Sequence, residues 1–94
     1  MKNYEVMYIL IPMEKENMEK INKKIRETIE NNGGQVEKDN VWGVKRLAYD
    51  IRYYDQGIYV LTTFKAERET IAELDRIMKI TDEVLRHMII RKSE

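Results

Sequence analysis

The 94-residue sequence has no cysteine, one histidine, one serine, one proline and four glycines, and each scarcity removes a class of chemistry. Without thiols there is no disulfide framework and no thiolate-ligated metal, so an oxidising compartment offers this chain no stabilisation. The lone serine, Ser93, is the penultimate residue. The lone histidine, His87, has no nucleophile or carboxylate pair set beside it by spacing, so acid–base and nucleophilic catalysis lack their parts. His87 reads instead as a partly exposed strand residue. We expect no enzyme activity, no cofactor, no metal and no small-molecule substrate. The glycines, Gly33, Gly34, Gly43 and Gly57, form neither a GxGxxG nor a P-loop pattern, and the first two follow a helical stretch where a phosphate cradle would precede one. The longest apolar run, Met7 to Met13 with Pro12 inside it, falls far short of the ~20 residues that cross a bilayer. The opening MKNYEVMYILIP carries Glu5 and no small-residue cleavage site, so a soluble, cytosolic chain is expected.

What is present in quantity is charge, in balance: 17 Lys and Arg against 17 Asp and Glu. The distribution says more than the sum. Glu16 to Asn32 carries four charges of each sign, and Glu67 to Ile80 three basic against four acidic. Gly43 to Tyr53 has three basic against one acidic, and Arg86 to Lys92 three against none. The positive excess is confined to two short segments.

The two balanced stretches repeat at helical spacing. Met18, Ile21, Ile25, Thr28 and Ile29 form one stripe, Ile71, Leu74, Ile77 and Met78 the other, and each predicts an amphipathic helix with a single core face. NNGG ends the first, since a glycine there can take the left-handed conformation that closes a helix. Asn3 to Ile11, Gln35 to Ile51, Gly57 to Lys65 and Val84 to Arg91 are rich in β-branched and aromatic residues and read as strands. Gly43 suggests a bulge or bend in the second, and YDQG, Tyr54 to Gly57, reads as the turn of a hairpin joining the second and third. The order β-α-β-β-α-β over residues 1–94, as one domain, predicts an α+β ferredoxin-like sandwich: a four-stranded antiparallel sheet with two helices on one face. With strands one and three central, Met7, Ile9, Tyr59 and Leu61 would decorate the uncovered face as a partner surface. Trp42 is assigned first to the core, then to RNA stacking or an interface.

The segment GVKRLAYDIR mixes two patterns. Strand alternation puts Leu47, Tyr49 and Ile51 on one face, expected under the helices, and Arg46 and Arg52 on the other, where with Lys45 they would form a cationic ridge. The plainer reading is that these charges protect an edge strand from aggregation. Gly43, Lys45, Arg46, Leu47, Ala48, Tyr49, Ile51 and Arg52, in this order, resemble the signature of the bacterial-type small ribosomal subunit protein six family. The likeness runs over the whole chain, through NYEVMYIL, ENNGGQVEK, DQGIYVLTTF and ITDEVLRHMIIRK. It implies a ferredoxin-like, non-enzymatic protein of the cytoplasmic small ribosomal subunit. Such a protein binds small-subunit ribosomal RNA in the central (platform) domain together with the small-subunit protein numbered eighteen. Under that implication, charge assigns RNA contacts to Lys2, Lys45, Arg46, Arg52, Arg86, Arg91 and Lys92, and the partner interface to Met7, Ile9, Tyr59 and Leu61. Asp50 departs from the proline some members carry there, and the chain ends at Ser93–Glu94 where other members continue. The alternative is a small-molecule-binding regulatory module of the same fold, though its glycine-bearing effector loop is missing after the first strand. The resemblance of the topology to RNA-recognition motifs fails at the third strand, where Tyr59 and Val60 stand in the wrong order.

Overall fold

The computed structural model describes residues 1–92, and Ser93 and Glu94 lie outside the described residues. The elements are β1 (Lys2–Leu10), α1 (Lys15–Asn31), β2 (Gln35–Ile51), β3 (Tyr54–Ala66), α2 (Arg68–Ile80) and β4 (Val84–Arg91). The strands form one antiparallel sheet in the order β2-β3-β1-β4, so β1 and β3 are central as the sequence predicts.

Period-2 alternation divides the central strands. Val6, Tyr8 and Leu10 of β1, with Ile58, Val60, Phe64 and Ala66 of β3, turn toward the helices and pack against Ile25, Ile29, Leu74 and Met78. The helical stripes read from the sequence therefore supply the other half of this core. Polar side chains share this layer, Thr62 and Asn22 among them. Asn22, one position from the apolar stripe on α1, is buried, and its Oδ1 accepts a 2.6 Å hydrogen bond from the Tyr8 hydroxyl. Burial, then the negative charge of Asp39, pushes the Tyr8 phenol far above its usual range, so it stays a neutral donor.

At the end of α1 the Gly34 amide donates to the Ile29 carbonyl at 2.8 Å and the Gly33 amide to that of Glu30 at 3.2 Å, the Schellman pattern. Gly33 has φ +89°, the left-handed value this turn requires. Gly34 is needed for space, since a Cβ there would lie 2.7 Å from Ile29 Cγ2 and 3.0 Å from the Lys65 carbonyl oxygen.

β2 has the bend expected at Gly43, but Leu47, Trp42 and the hairpin turn lie elsewhere than expected. The register against β3 shifts between Val41 and Gly43, and Gly43 adopts φ +93°. The bend is therefore a bulge that inserts one residue and inverts the side-chain parity beyond it. Val41 and Val44 stand opposite Val60 and Ile58 on the helix side, while Gly43 and Lys45 stand opposite Tyr59 and Gly57 on the other. Leu47 follows Lys45 onto the uncovered face, so it does not pack under the helices. Trp42, at the bulge, is 49% exposed and is not a core anchor. The hairpin turn also falls earlier than YDQG. Arg52 and Tyr53 carry φ 48° and 69°, Ile51 pairs with Tyr54, and β3 begins at Tyr54. Two central residues with positive φ are the mark of a type I′ turn, usually signalled by Asn-Gly, which is why this one was illegible in the sequence.

Candidate nucleic-acid and partner interface

Antiparallel partners share a face, and the pairings define the side of the sheet that carries no helix. β1 contributes Glu5, Met7 and Ile9, β3 contributes Gly57, Tyr59, Leu61 and Thr63, and β4 contributes Arg86, Met88 and Ile90 opposite Ile9, Met7 and Glu5. The four residues read as a partner surface, Met7, Ile9, Tyr59 and Leu61, thus come together on this open face. They are not equally open. Ile9 is only 4% exposed, although no helix covers it. Its cover comes from the distal hairpin: at Gly57 an added Cβ would meet Ile9 Cγ2 at 2.3 Å and Leu47 Cδ2 at 3.6 Å. Leu47 and Ile9 therefore close over the glycine as a small second core. Farther across the same end, the Arg86 guanidinium lies 5.2 Å above the Tyr49 ring. Met7, Tyr59 and Leu61 remain half-buried, and Met88 and Ile90 extend the strip with two exposed apolar side chains. Those last two were missed, though the alternation Arg86, Met88, Ile90 in a paired strand is the signal that identifies them.

The seven basic candidates fall into two groups at opposite ends of the sheet. Near the hairpin are Lys45, Arg46, Arg52 and Arg86. Lys45 projects on the open face with its ammonium 5.3 Å above the Trp42 ring. Arg46, opposite Gln56, turns to the other face, so Lys45, Arg46 and Arg52 do not form one ridge. Arg52 sits in the turn, and its Nη2 donates to the carbonyls of Asp82 at 2.7 Å and Val84 at 3.0 Å. At the other end, Arg91 pairs with Tyr4, the Lys92 amide donates to the Asn3 carbonyl at 2.9 Å, and Lys2 opens β1 beside them. The Lys92 ammonium lies 3.9 Å from the Glu5 carboxylate. Lys2, Arg46 and Arg91 are exposed and have no carboxylate within ion-pair distance among the described residues.

His87 lies on the helix side of β4, half-buried, with Nε2 2.7 Å from Asp75 Oδ1. It clips α2 to the sheet. That hydrogen bond first, and the one from Lys79 second, hold the Asp75 carboxyl below its ordinary value.

A sheet shielded on one side by its helices, with an apolar strip on its uncovered face and cations gathered at both of its ends, defines a ferredoxin-like protein. The chain belongs to the ribosomal protein S6 family, whose family model, described as Ribosomal protein S6, matches residues 3–91. It is 50% identical over 95 residues to the small ribosomal subunit protein bS6 of Desulforamulus reducens, covering 100% of both chains. It is 44% identical to the bS6 of Carboxydothermus hydrogenoformans, covering 100% of this chain and 99% of that one. The crystal structure of 30S ribosomal protein S6 from Thermotoga maritima superposes with a TM-score of 0.92 at 26% identity, covering 97% of this chain and 87% of that one. The chain is therefore a structural component of the small ribosomal subunit, located with it in the cytoplasm, and not an enzyme. None of its described helices is long and apolar enough to cross a membrane.

Proposed function

We propose that this chain, acting as one ferredoxin-like domain, binds small-subunit ribosomal RNA in the central domain as a joint unit with the small-subunit protein numbered eighteen. The observation that carries the reading is the open face: an apolar strip of Met7, Tyr59, Leu61, Met88 and Ile90, with Ile9 beneath it, lies between the two cationic ends. The strip suits a protein neighbour, because contiguous exposed apolar side chains on a small soluble domain lose free energy to water until they are covered. Lys45, Arg46, Arg52 and Arg86 at one end, and Lys2, Arg91 and Lys92 at the other, are the groups to meet phosphates. Formal net charge is zero, so the free chain has little long-range attraction for RNA and depends on its partner for affinity.

The two cationic ends give the test. Binding of a central-domain RNA fragment by the reconstituted pair of proteins is measured against salt concentration. Each phosphate contact contributes roughly 0.7 to 0.9 to the slope of log K against log salt. The substitutions Lys45→Ala with Arg86→Ala, and separately Lys2→Ala with Arg91→Ala, are expected to lower that slope by about one to two each. A pair whose removal leaves the slope unchanged does not touch phosphate.

A further inference from the structure

We propose that Tyr53 is a base-stacking residue: the tip of the β2–β3 hairpin holds its ring out, in a strained turn, for an unpaired base of the ribosomal RNA. The inference rests on the RNA-binding reading above and deepens it, naming one side chain and one kind of contact. Three independent features of the tip converge on it.

The first is conformational. Arg52 and Tyr53 are the only non-glycine residues with positive φ among the described residues, and they are adjacent. A side chain bearing Cβ is disfavoured in the left-handed region, and type I′ turns are ordinarily relieved by Asn and Gly. Strain of this kind persists where the surrounding structure enforces it, often at a functional position. The second is exposure. Tyr53 is 100% exposed, whereas an aromatic ring is the side chain with most to gain from burial. The third is rigidity. The two hydrogen bonds from Arg52 to the carbonyls of Asp82 and Val84 pin the tip to the start of β4, so the ring stands on a fixed support.

The surroundings favour a nucleotide over a protein. Arg52 is the ring's neighbour in the turn, and Arg86 and Lys45 lie farther along the same end of the sheet, over Tyr49 and Trp42. A strand whose base stacks on the ring therefore has cations within reach of its phosphates. The apolar strip that suits a protein lies nearer the middle of the sheet. Asp50 and Asp55 on the same hairpin temper the local positive potential, which puts the weight of the contact on the ring face itself.

The experiment uses the reconstituted pair of proteins and the central-domain RNA fragment, with Tyr53→Phe, Tyr53→Gly, and Tyr53→Trp in a Trp42→Phe background. Phenylalanine keeps the ring and should bind as the parent does. Glycine should weaken RNA binding by roughly 5- to 100-fold with the salt slope unchanged, because no charge is lost. The same glycine relieves the turn and should raise the Tm of the free chain by about 2 to 6 °C, so binding and stability move in opposite directions. Tryptophan fluorescence should be quenched when RNA joins the complex and not by the partner protein alone. Parental RNA affinity in Tyr53→Gly overturns the proposal, as does quenching by the partner alone, which would assign the ring to a protein contact. Failure of the unsubstituted pair to bind the RNA at all would instead remove the RNA-binding reading together with this one.

Discussion

Asp75 is a surface carboxylate on α2 that does a structural task through two partners. One oxygen lies 2.7 Å from His87 Nε2 on β4, and the other 2.9 Å from the Lys79 ammonium one turn along its own helix. Its folded-state pKa is depressed, so the stabilisation is present above the unfolded carboxylate value and is lost as pH falls through the lower folded value. The expected signature is an acid limb in the plot of Tm against pH, below about pH 4, that flattens in Asp75→Asn. A substituted chain with the parental acid limb would show that the contact has no energetic weight. Because the carboxylate is largely solvated, the change should be small. Individual residues were the least legible part of this sequence. Asn22 carries no mark of burial in the helical pattern, because nothing there shows that Tyr8 points a hydroxyl at it from another element. Trp42 looked like core because large aromatics usually are, and only the bulge turns it out. The basic residues were legible as charges, but not as two groups, since their grouping depends on which strand ends meet.

Elements were read more reliably, because periodicity reports on the face each one buries. Both helices and all four strands are present in the expected order, β3 beginning at Tyr54 instead of Gly57, and the NNGG terminator works as a helix cap. The two glycines of that cap serve different needs and should respond differently to substitution. Gly33→Asn keeps a residue tolerant of positive φ in open space and should cost about 1 kcal/mol or less. Gly34→Ala forces a methyl against the Ile29 and Lys65 carbonyl oxygens, which are backbone atoms that cannot swing aside, and should cost about 2 to 3 kcal/mol. Urea unfolding of the two variants distinguishes them, and equal costs would refute the steric account of Gly34. What failed at this scale was parity. A bulge at Trp42–Gly43 adds one residue, and that one residue moved Leu47 from the predicted helix side to the open face. Gly43 disclosed that a bend occurs, but a bend does not disclose how many residues it absorbs.

At the scale of the molecule, the topology followed from element order alone, because antiparallel pairing and the usual crossover handedness leave few arrangements of two helices and four strands. The open face followed in turn, as the side opposite the helical stripes. Its composition supports a separation of roles, with association by the apolar strip and phosphate neutralisation at the ends. Met88→Asp combined with Ile90→Asp adds charge at two exposed positions and should leave the Tm within a few degrees of the parent. On the proposed reading the same change weakens association with the small-subunit protein numbered eighteen at least tenfold, roughly 1.4 kcal/mol or more. Titration calorimetry of the two purified proteins checks this, and undiminished affinity would move the partner surface elsewhere.

The central position of β1 has a consequence for the chain's own synthesis. The strand made first has its two flanks filled by β3 and by β4, the strands made third and last. A nascent chain can form α1 and the β2–β3 hairpin early, but the middle of its sheet keeps an unclaimed edge until Arg91 has left the exit tunnel. Completion of the sheet therefore waits for β4 and is governed by the closure of the long loop that joins it to β1.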